Sequence, residues 1–572
     1  MTEPTVPSAM GSPTKTTPLK MLTGIDPNNI QDLAGARRAI VLLFNLVEDQ
    51  RALVRELQAE NQRLRDENNR LKGEQGRPDI KANKPPKPPT SSDHSSEAER
   101  RQSQAWRKGP KLDRIRIDRE ATLRVDPASL PADAEFKGHE DVVVQDVRFE
   151  TDNILFHKEK YYSASAGQTY LAPLPPGYRG QFGPGLKALA LVEYYACNVA
   201  EPKLLELFRN VGVVLSAGEL SNLLIKNQTA FHAEKTALYG AGLRSSPWQH
   251  YDQTSTRVDG VNQQCNIVCN PFYTAFFTTA SKDRLSVLDV LRNLASRTFC
   301  FNAEAFELLH VLGVAQRVIA QMQAFPQERS LSEAELMALL DQQTPPLGPL
   351  QRQHVLEAAA VAAYHAQLEF PVIQLLLCDD APQFNWLTAE LALCWVHEGR
   401  HYKKLTPCVP QHQELLAAFY TQFWDFYAEL LAYRAAPSPA AKVRLSAEFE
   451  RIFATVTGYQ QLDDRIAKTR LKKASLLLVL EHPEIPLHNN PAELGARQRV
   501  RKRDVSFGPQ TNDGAQAWDT FQTLTATAQK LGVSIYHYIR DRVTQAYALP
   551  SLASLIAERA LQEPLGQSWA AT

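Results

Sequence analysis

The residues of this chain best suited to chemistry are carboxylates at the ends of apolar strands. The run VIQLLL (Val372 to Leu377) ends on Cys378, Asp379 and Asp380, where a buried strand would deliver acids to solvent. Upstream, WQHYDQTSTRVDG has the pattern of another acidic strand, followed by QQCNIVCN, FYTAFFTTA and the helical SVLDVLRNLA. Three strands and then a helix suggest an α/β core. Downstream, LHNNPAELGARQRVRKRD opens a helix with an acid of its own. Metal-dependent phosphoryl transfer requires such an arrangement, because two divalent ions about 3.5 to 4 Å apart take oxygen ligands from separate elements. The plain alternative is that each acid is a turn or cap residue. Cys394, His397, His401 and Cys408 are zinc-type residues, but their spacing has no structural-site rhythm, so zinc is not expected.

Helical blocks must position these strands. Helical periodicity runs from about Ala303 to Leu368 and again from Gln411 to Leu480, as insertions around the strand candidates. Earlier, PKLLELFRN, a break at Val211 and Gly212, and SAGELSNLLIKN make a plausible helix-turn-helix, with Ser216 and Glu219 as a capping box. Leu204, Leu207 and Phe208 would pack on Leu220, Leu223 and Leu224, leaving Ser221, Asn222 and Lys226 to face DNA; the alternative is an ordinary helical hairpin. Residues 121–174 alternate in short apolar runs, the signature of a small meandering sheet. From Ile40 to Leu71 a heptad places Ile40, Val47, Val54, Asn61 and Asn68 at a, and Leu43, Gln50, Leu57, Leu64 and Leu71 at d. β-Branched a with leucine d favours two parallel strands, and asparagine at a fixes register, so a homodimer is expected; a single amphipathic helix packed on its own protein is the alternative.

The chain has 572 residues, which at roughly 150 per domain implies about three to four domains. Its 63 Lys and Arg balance 63 Asp and Glu, so nucleic-acid binding must come from local charge, and a wholly basic protein is excluded. The 7 Cys are scattered without a C-x-x-C pair, fitting a reducing compartment. With no export signal and no apolar run of about 18 residues, a soluble cytoplasmic protein without membrane contact is expected. The expected fold class is multidomain α+β. Its segments are a disordered leader (1–36), a coiled-coil dimerisation helix (37–73), a disordered linker (74–110), a small β-rich module (111–180), a helix-turn-helix (181–245), a catalytic domain with helical insertions (246–505) and a C-terminal helical region (506–572). Residues 107–119 are locally basic, as a phosphate contact or a solvated face.

The stretches QFGPGLKAL, VGVVLSAGELSNLL, HYDQTSTRVDG, CDDAPQF, LCWVHEGRHYKKL and HNNPAELGARQRVRKRD, in that order from about Gly180 onward, resemble insertion-sequence DDE transposases of the family numbered sixty-six. The resemblance implies a ribonuclease-H-like α/β core with helical insertions, preceded by a helix-turn-helix and a coiled coil. It places the first acid on Asp252, in Asp252-Gln253-Thr254. The second falls on Asp379, five residues before Phe384, with Asp380 competing, and the third on Glu493 of Asn489-Asn490-Pro491-Ala492-Glu493. It implies two magnesium or manganese ions on these acids, and partners that are DNA element ends and target, with accessory proteins undetermined. Asn490 as N-cap, Pro491 and Glu493 would also make a capping box. Arg497, Arg499, Arg501, Lys502 and Arg503 put five positive charges in seven residues, suited to DNA phosphates or to a solvated face. C-W-x-H after the second acid also matches the family. The chain departs from it at Gln253 for Glu, His488 for Asp and Leu494 for Arg, and residues 121–174 contain no Cys where relatives carry a zinc module. The rival readings are a catalytically inactive dimeric DNA-binding protein and a coiled-coil scaffold free of nucleic acid.

Overall fold

A computed structural model describes residue 30 and residues 32–72, 115–131, 133–178 and 180–570; the expected leader and linker lie almost wholly outside these residues. The chain is mixed α+β and divides into two compact units, one within 1–94, 227–538 and 547–572, the other within 95–226 and 539–546.

In the smaller unit, strands β1 (Lys160–Ser163) and β2 (Gln168–Leu171) form one antiparallel hairpin. The meandering sheet expected across 111–180 is otherwise absent from the described residues, which hold only a 3-10 turn at Pro127–Ser129 before that hairpin. The reason is visible in the burial: Val142, Val144, Val147, Phe149 and Leu155 are exposed, so the alternation has no second layer to cover it. Helices Glu201–Asn210 and Ala217–Ile225 follow, joined by a turn at Val211 to Leu215. Leu204, Phe208, Leu220 and Leu224 are buried, and Ser216 and Glu219 form the expected capping box. Leu207 stays partly exposed, and of the outward set Asn222 and Lys226 are exposed while Ser221 is half-buried.

The larger unit is built on a five-stranded sheet whose order across is β5 (Tyr273–Thr279), β4 (Val261–Asn270), β3 (Trp248–Val258), β8 (Leu375–Cys378), β9 (Glu390–Leu393). Strands β3 (Trp248–Val258), β4 (Val261–Asn270) and β5 (Tyr273–Thr279) are antiparallel neighbours. Asp259 and Gly260 both take positive φ between paired Val258 and Val261, the two-residue turn whose twist suits a hairpin. A short strand β6 (Thr298–Phe299), just before the first helical block, pairs with β7 (Leu331–Ser332) inside it, so that block is interrupted. Strands β8 (Leu375–Cys378) and β9 (Glu390–Leu393) then add in parallel beside β3. β8 is buried throughout, as a strand covered on both faces must be.

Helix Asn512–Leu531 belongs to this core and is not an appendage. Its Thr527, Thr523 and Asp519 accept the free edge N–H groups of Thr274, Phe276 and Thr278 at 3.2, 3.0 and 2.6 Å. Two strand residues advance about 6.8 Å and four helix residues about 6 Å, so the two series stay in step. The sheet edge is thereby closed to other strands.

The second insertion (helices Pro410–Ala435, Pro439–Phe453 and Gln460–Leu471) packs Phe423, Phe426, Phe449 and Phe453 around buried Trp395. The zipper helix (Leu33–Leu71) is continuous and begins at an Asp32 cap. Its a and d residues Ile40, Leu43, Val47, Val54, Leu57, Leu64 and Leu71 are exposed, while Ala39 and Glu48 on another face are buried. That second face docks on the same unit: Asn45 donates to Gly458 O at 2.9 Å, and Glu48 meets the start of helix Pro410–Ala435. Among the described residues, no helix is long and apolar enough to cross a membrane.

Candidate active site

The sheet register brings the first two acids together. His250 pairs with Leu377, the last pair of the parallel β3–β8 ladder; Asp252 lies two residues further along β3 and Asp379 two residues beyond Leu377, just past the end of β8, near enough that its charge raises the Asp252 carboxyl. Asp379 immediately follows buried Cys378 and is half-buried, whereas Asp380 is exposed and ion-paired with Lys472 at 2.5 Å.

The third acid rides on the helix Asn490–Ser506, whose start is fixed by Asn489. The expected capping box is not formed. Asn489, not Asn490, is the N-cap residue, and its side chain makes no cap bond. It is fully buried instead, with Nδ2 donating to Tyr251 O at 2.7 Å and Oδ1 lying 3.0 Å from His250 Nδ1. Since Oδ1 can only accept, His250 carries its proton on Nδ1. Burial pushes the His250 ring down to about 3, so it is neutral. One side chain thus ties the acid helix to the strand bearing Asp252. Gly495, one turn on, lets the helix approach β4: a Cβ there would lie 2.7 Å from Ile267 Cγ2.

Glu493 then faces helix Trp395–Lys403. Its Oε2 accepts from Arg400 Nη2 at 3.0 Å, and its Oε1 lies 3.4 Å from His397 Nε2. Gly399 on that helix sits against Trp424, where a Cβ would be 2.7 Å from the ring, so the aromatic core seats the helix closely. Burial pushes the Asp252 carboxyl up to about 7; Gln253 N–H opposes this, while the Glu493 and Asp379 charges add to it. Asp379 is also raised, by burial first. Burial lowers His397.

Gln253 joins a chain of amides: its Nε2 donates to Asn266 Oδ1 at 2.7 Å and its Oε1 accepts from Gln383 at 2.9 Å. A carboxylate could not supply the first of these bonds.

The basic run divides by helix phase. Arg497 and Arg501 are exposed, and Arg503 is half-buried with Nη1 on Ser255 O at 2.6 Å. Arg499 and Lys502 point into the protein, contrary to the expectation that they meet DNA: both are fully buried, Arg499 bonded to Asp519 and Lys502 over the Trp518 ring. Five charges in seven residues span nearly two turns, so the residues three apart share the inner face.

The four zinc-type residues do not assemble. Cys408 lies instead beside Glu48. Among the described residues, one group of potential metal ligands gathers within 4.8 Å, and it is Cys394, His397 and Glu493. Sequence reasoning noted His397 only as a zinc-type residue and within C-W-x-H, and missed Arg400, Lys472 and His250. A divalent cation fits these surroundings: Glu493 Oε1 is buried without a hydrogen bond, and the neighbouring Asp252 and Asp379 carboxyls are held above their ordinary range.

The sequence pattern of the Transposase IS66 family matches residues 362–517, a span that holds Asp379, the C-W-x-H segment and Glu493 but not Asp252. "Uncharacterized protein y4jO" of Sinorhizobium fredii (strain NBRC 101917 / NGR234) is 33% identical over 324 residues, 56% of this chain and 99% of that protein. The chain belongs to the IS66 transposase family. For an IS66 family member a transposase role and DNA binding follow at the level of the family. No solved structure matches the chain.

Proposed function

We propose that this IS66-family protein is a DDE transposase, cutting and joining DNA strands at carboxylates Asp252, Asp379 and Glu493. The observation that carries the reading is electrostatic: the charges of Glu493, on helix Asn490–Ser506, and of Asp379, just past β8, both disfavour charge on Asp252 of β3. Asp379 is preferred to Asp380 because Lys472 already holds Asp380. Magnesium or manganese held by the three acids would supply a charge that activates the attacking oxygen and stabilises the leaving one. The protein's own residues orient: Asn489 fixes the acid helix on β3, and Arg400 fixes the Glu493 carboxylate. Exposed Arg497 and Arg501, on the helix that carries Glu493, suit DNA phosphates, and Asn222 on helix Ala217–Ile225 with Lys226 at its C-cap suit a second contact. The exposed a/d seam suits a parallel homodimer. Strand cleavage on the element's own ends with magnesium tests the assignment. Asp252→Asn and Glu493→Gln should each abolish cleavage while DNA binding persists, and undiminished cleavage in either would overturn it.

A further inference from the structure

One buried atom without a hydrogen-bond partner faces an imidazole nitrogen across the site. Glu493 Oε1 accepts no hydrogen bond, and His397 Nε2 lies 3.4 Å from it. The other ring nitrogen, Nδ1, is buried and also unpartnered. A carboxylate oxygen buried without a donor is costly, so the arrangement calls for a third party between it and the imidazole. Two donors bound about 2.1 Å from one ion, at 90° to 109°, stand about 3.0 to 3.4 Å apart, which the observed separation matches. His397 is held in place by its helix: the preceding Trp395 is buried with its indole N–H on Leu476 O at 2.8 Å, and Gly399 packs against Trp424.

We infer that His397 Nε2 joins Glu493 Oε1 in binding one of the divalent cations, giving that position a nitrogen ligand and hence a preference for manganese over magnesium. The preference follows from ligand type, since magnesium favours all-oxygen surroundings while imidazole suits later divalent metals. Cys394 lies behind the pair, but its Sγ already accepts the Asn489 backbone N–H at 3.2 Å, so it anchors the acid helix and is not counted as a ligand.

This inference rests on the metal-dependent reading above, and its test reads the ion directly. Manganese is titrated into the full-length protein, following loss of the free-ion resonance, and the bound ion is examined by pulsed electron paramagnetic resonance for coupling to nitrogen. The expected spectrum shows a directly bound nitrogen whose coupling changes when histidine is labelled with nitrogen-15, an arm that needs no variant. In His397→Gln the coupling should vanish and manganese affinity fall about tenfold or more, with a smaller change for magnesium. Bound manganese without nitrogen coupling, or coupling that persists in His397→Gln, overturns the inference and leaves the carboxylate site standing. Failure of the wild-type protein to bind manganese at all removes both.

Discussion

Glu48 Oε1 accepts the backbone N–H of Val409 at 2.9 Å, and the same carboxylate takes the N–H of Cys408 at 2.8 Å. A residue of the zipper helix therefore satisfies orphan donors at the start of the 26-residue helix Pro410–Ala435, where a negative charge also meets the positive end of the helix dipole. Glu48→Ala should cost about 1–3 kcal/mol and release the docked half of the zipper helix. Hydrogen exchange at residues 39–55 checks this: protection equal to wild type would show that Glu48 does not hold the helix.

Docking and the proposed dimerisation would use different faces, so they should separate by mutation. Val47 and Leu57 lie on the exposed a/d seam and Glu48 does not. The double substitution Val47→Lys with Leu57→Lys places like charges on that seam, and should shift the protein from dimer to monomer in light scattering behind size exclusion. Glu48→Ala should leave the dimer intact. A monomeric wild-type protein would contradict the assignment of the seam.

The basic run makes two opposite predictions within seven residues. Arg499→Ala removes the buried ion-pair partner of Asp519, leaving that carboxylate only its Thr278 donors and the charge of Lys235, and should destabilise the fold by about 3 kcal/mol. Arg497→Ala and Arg501→Ala should leave the melting temperature nearly unchanged, yet each should weaken DNA binding and reduce the salt slope by about 1. A salt series of binding assays, beside thermal melts, distinguishes the two classes.

Helix phase explains why that division was not legible beforehand. Charge density alone marks the run as basic, but which arginines face inward depends on Trp518 and Asp519, on a helix packed against the sheet edge. What the sequence did show was local: the acid-tipped β8, the strand carrying Asp252, the Ser216/Glu219 capping box and the continuous zipper helix all follow from short-range patterning. Long-range partners broke the local expectations. Asn489 surrenders its capping role to bond β3, and the alternating run at 142–149 forms no strand because nothing covers it. Glu48 occupies an ordinary surface position of a heptad, and only a segment some 360 residues away buries it.

Asp252 should make the metal-free protein lose stability as pH rises. The unfolded carboxyl titrates near its ordinary 3.8 and the folded one at about 7, so between those values the folded state holds a proton that the unfolded chain has released. Stability then falls through this window, by up to about 1.4 kcal/mol per pH unit. Thermal melts in chelator from pH 4 to 8 should show the decline, and Asp252→Asn should flatten it. For the same reason magnesium binding at pH 6 should release protons, measurable by calorimetry in buffers of different ionisation enthalpy.

Asn489 offers the sharpest separation of position from charge. Asn489→Ala removes the donor to Tyr251 O and leaves the buried His250 N–H unpaired, a loss of about 2–4 kcal/mol, and frees the helix bearing Glu493. Asn489→Asp keeps an acceptor for His250 but loses the donor, and adds a carboxylate beside the strand that carries Asp252. If Asn489 acts by holding Glu493 in place, both variants should lower the turnover of DNA cleavage with little change in DNA affinity. The aspartate variant should regain stability as pH falls, when its carboxyl takes up a proton and donates again. Cleavage rates and melts measured across pH decide this: equal activity in wild type and Asn489→Ala would mean that the position of the acid helix is set elsewhere.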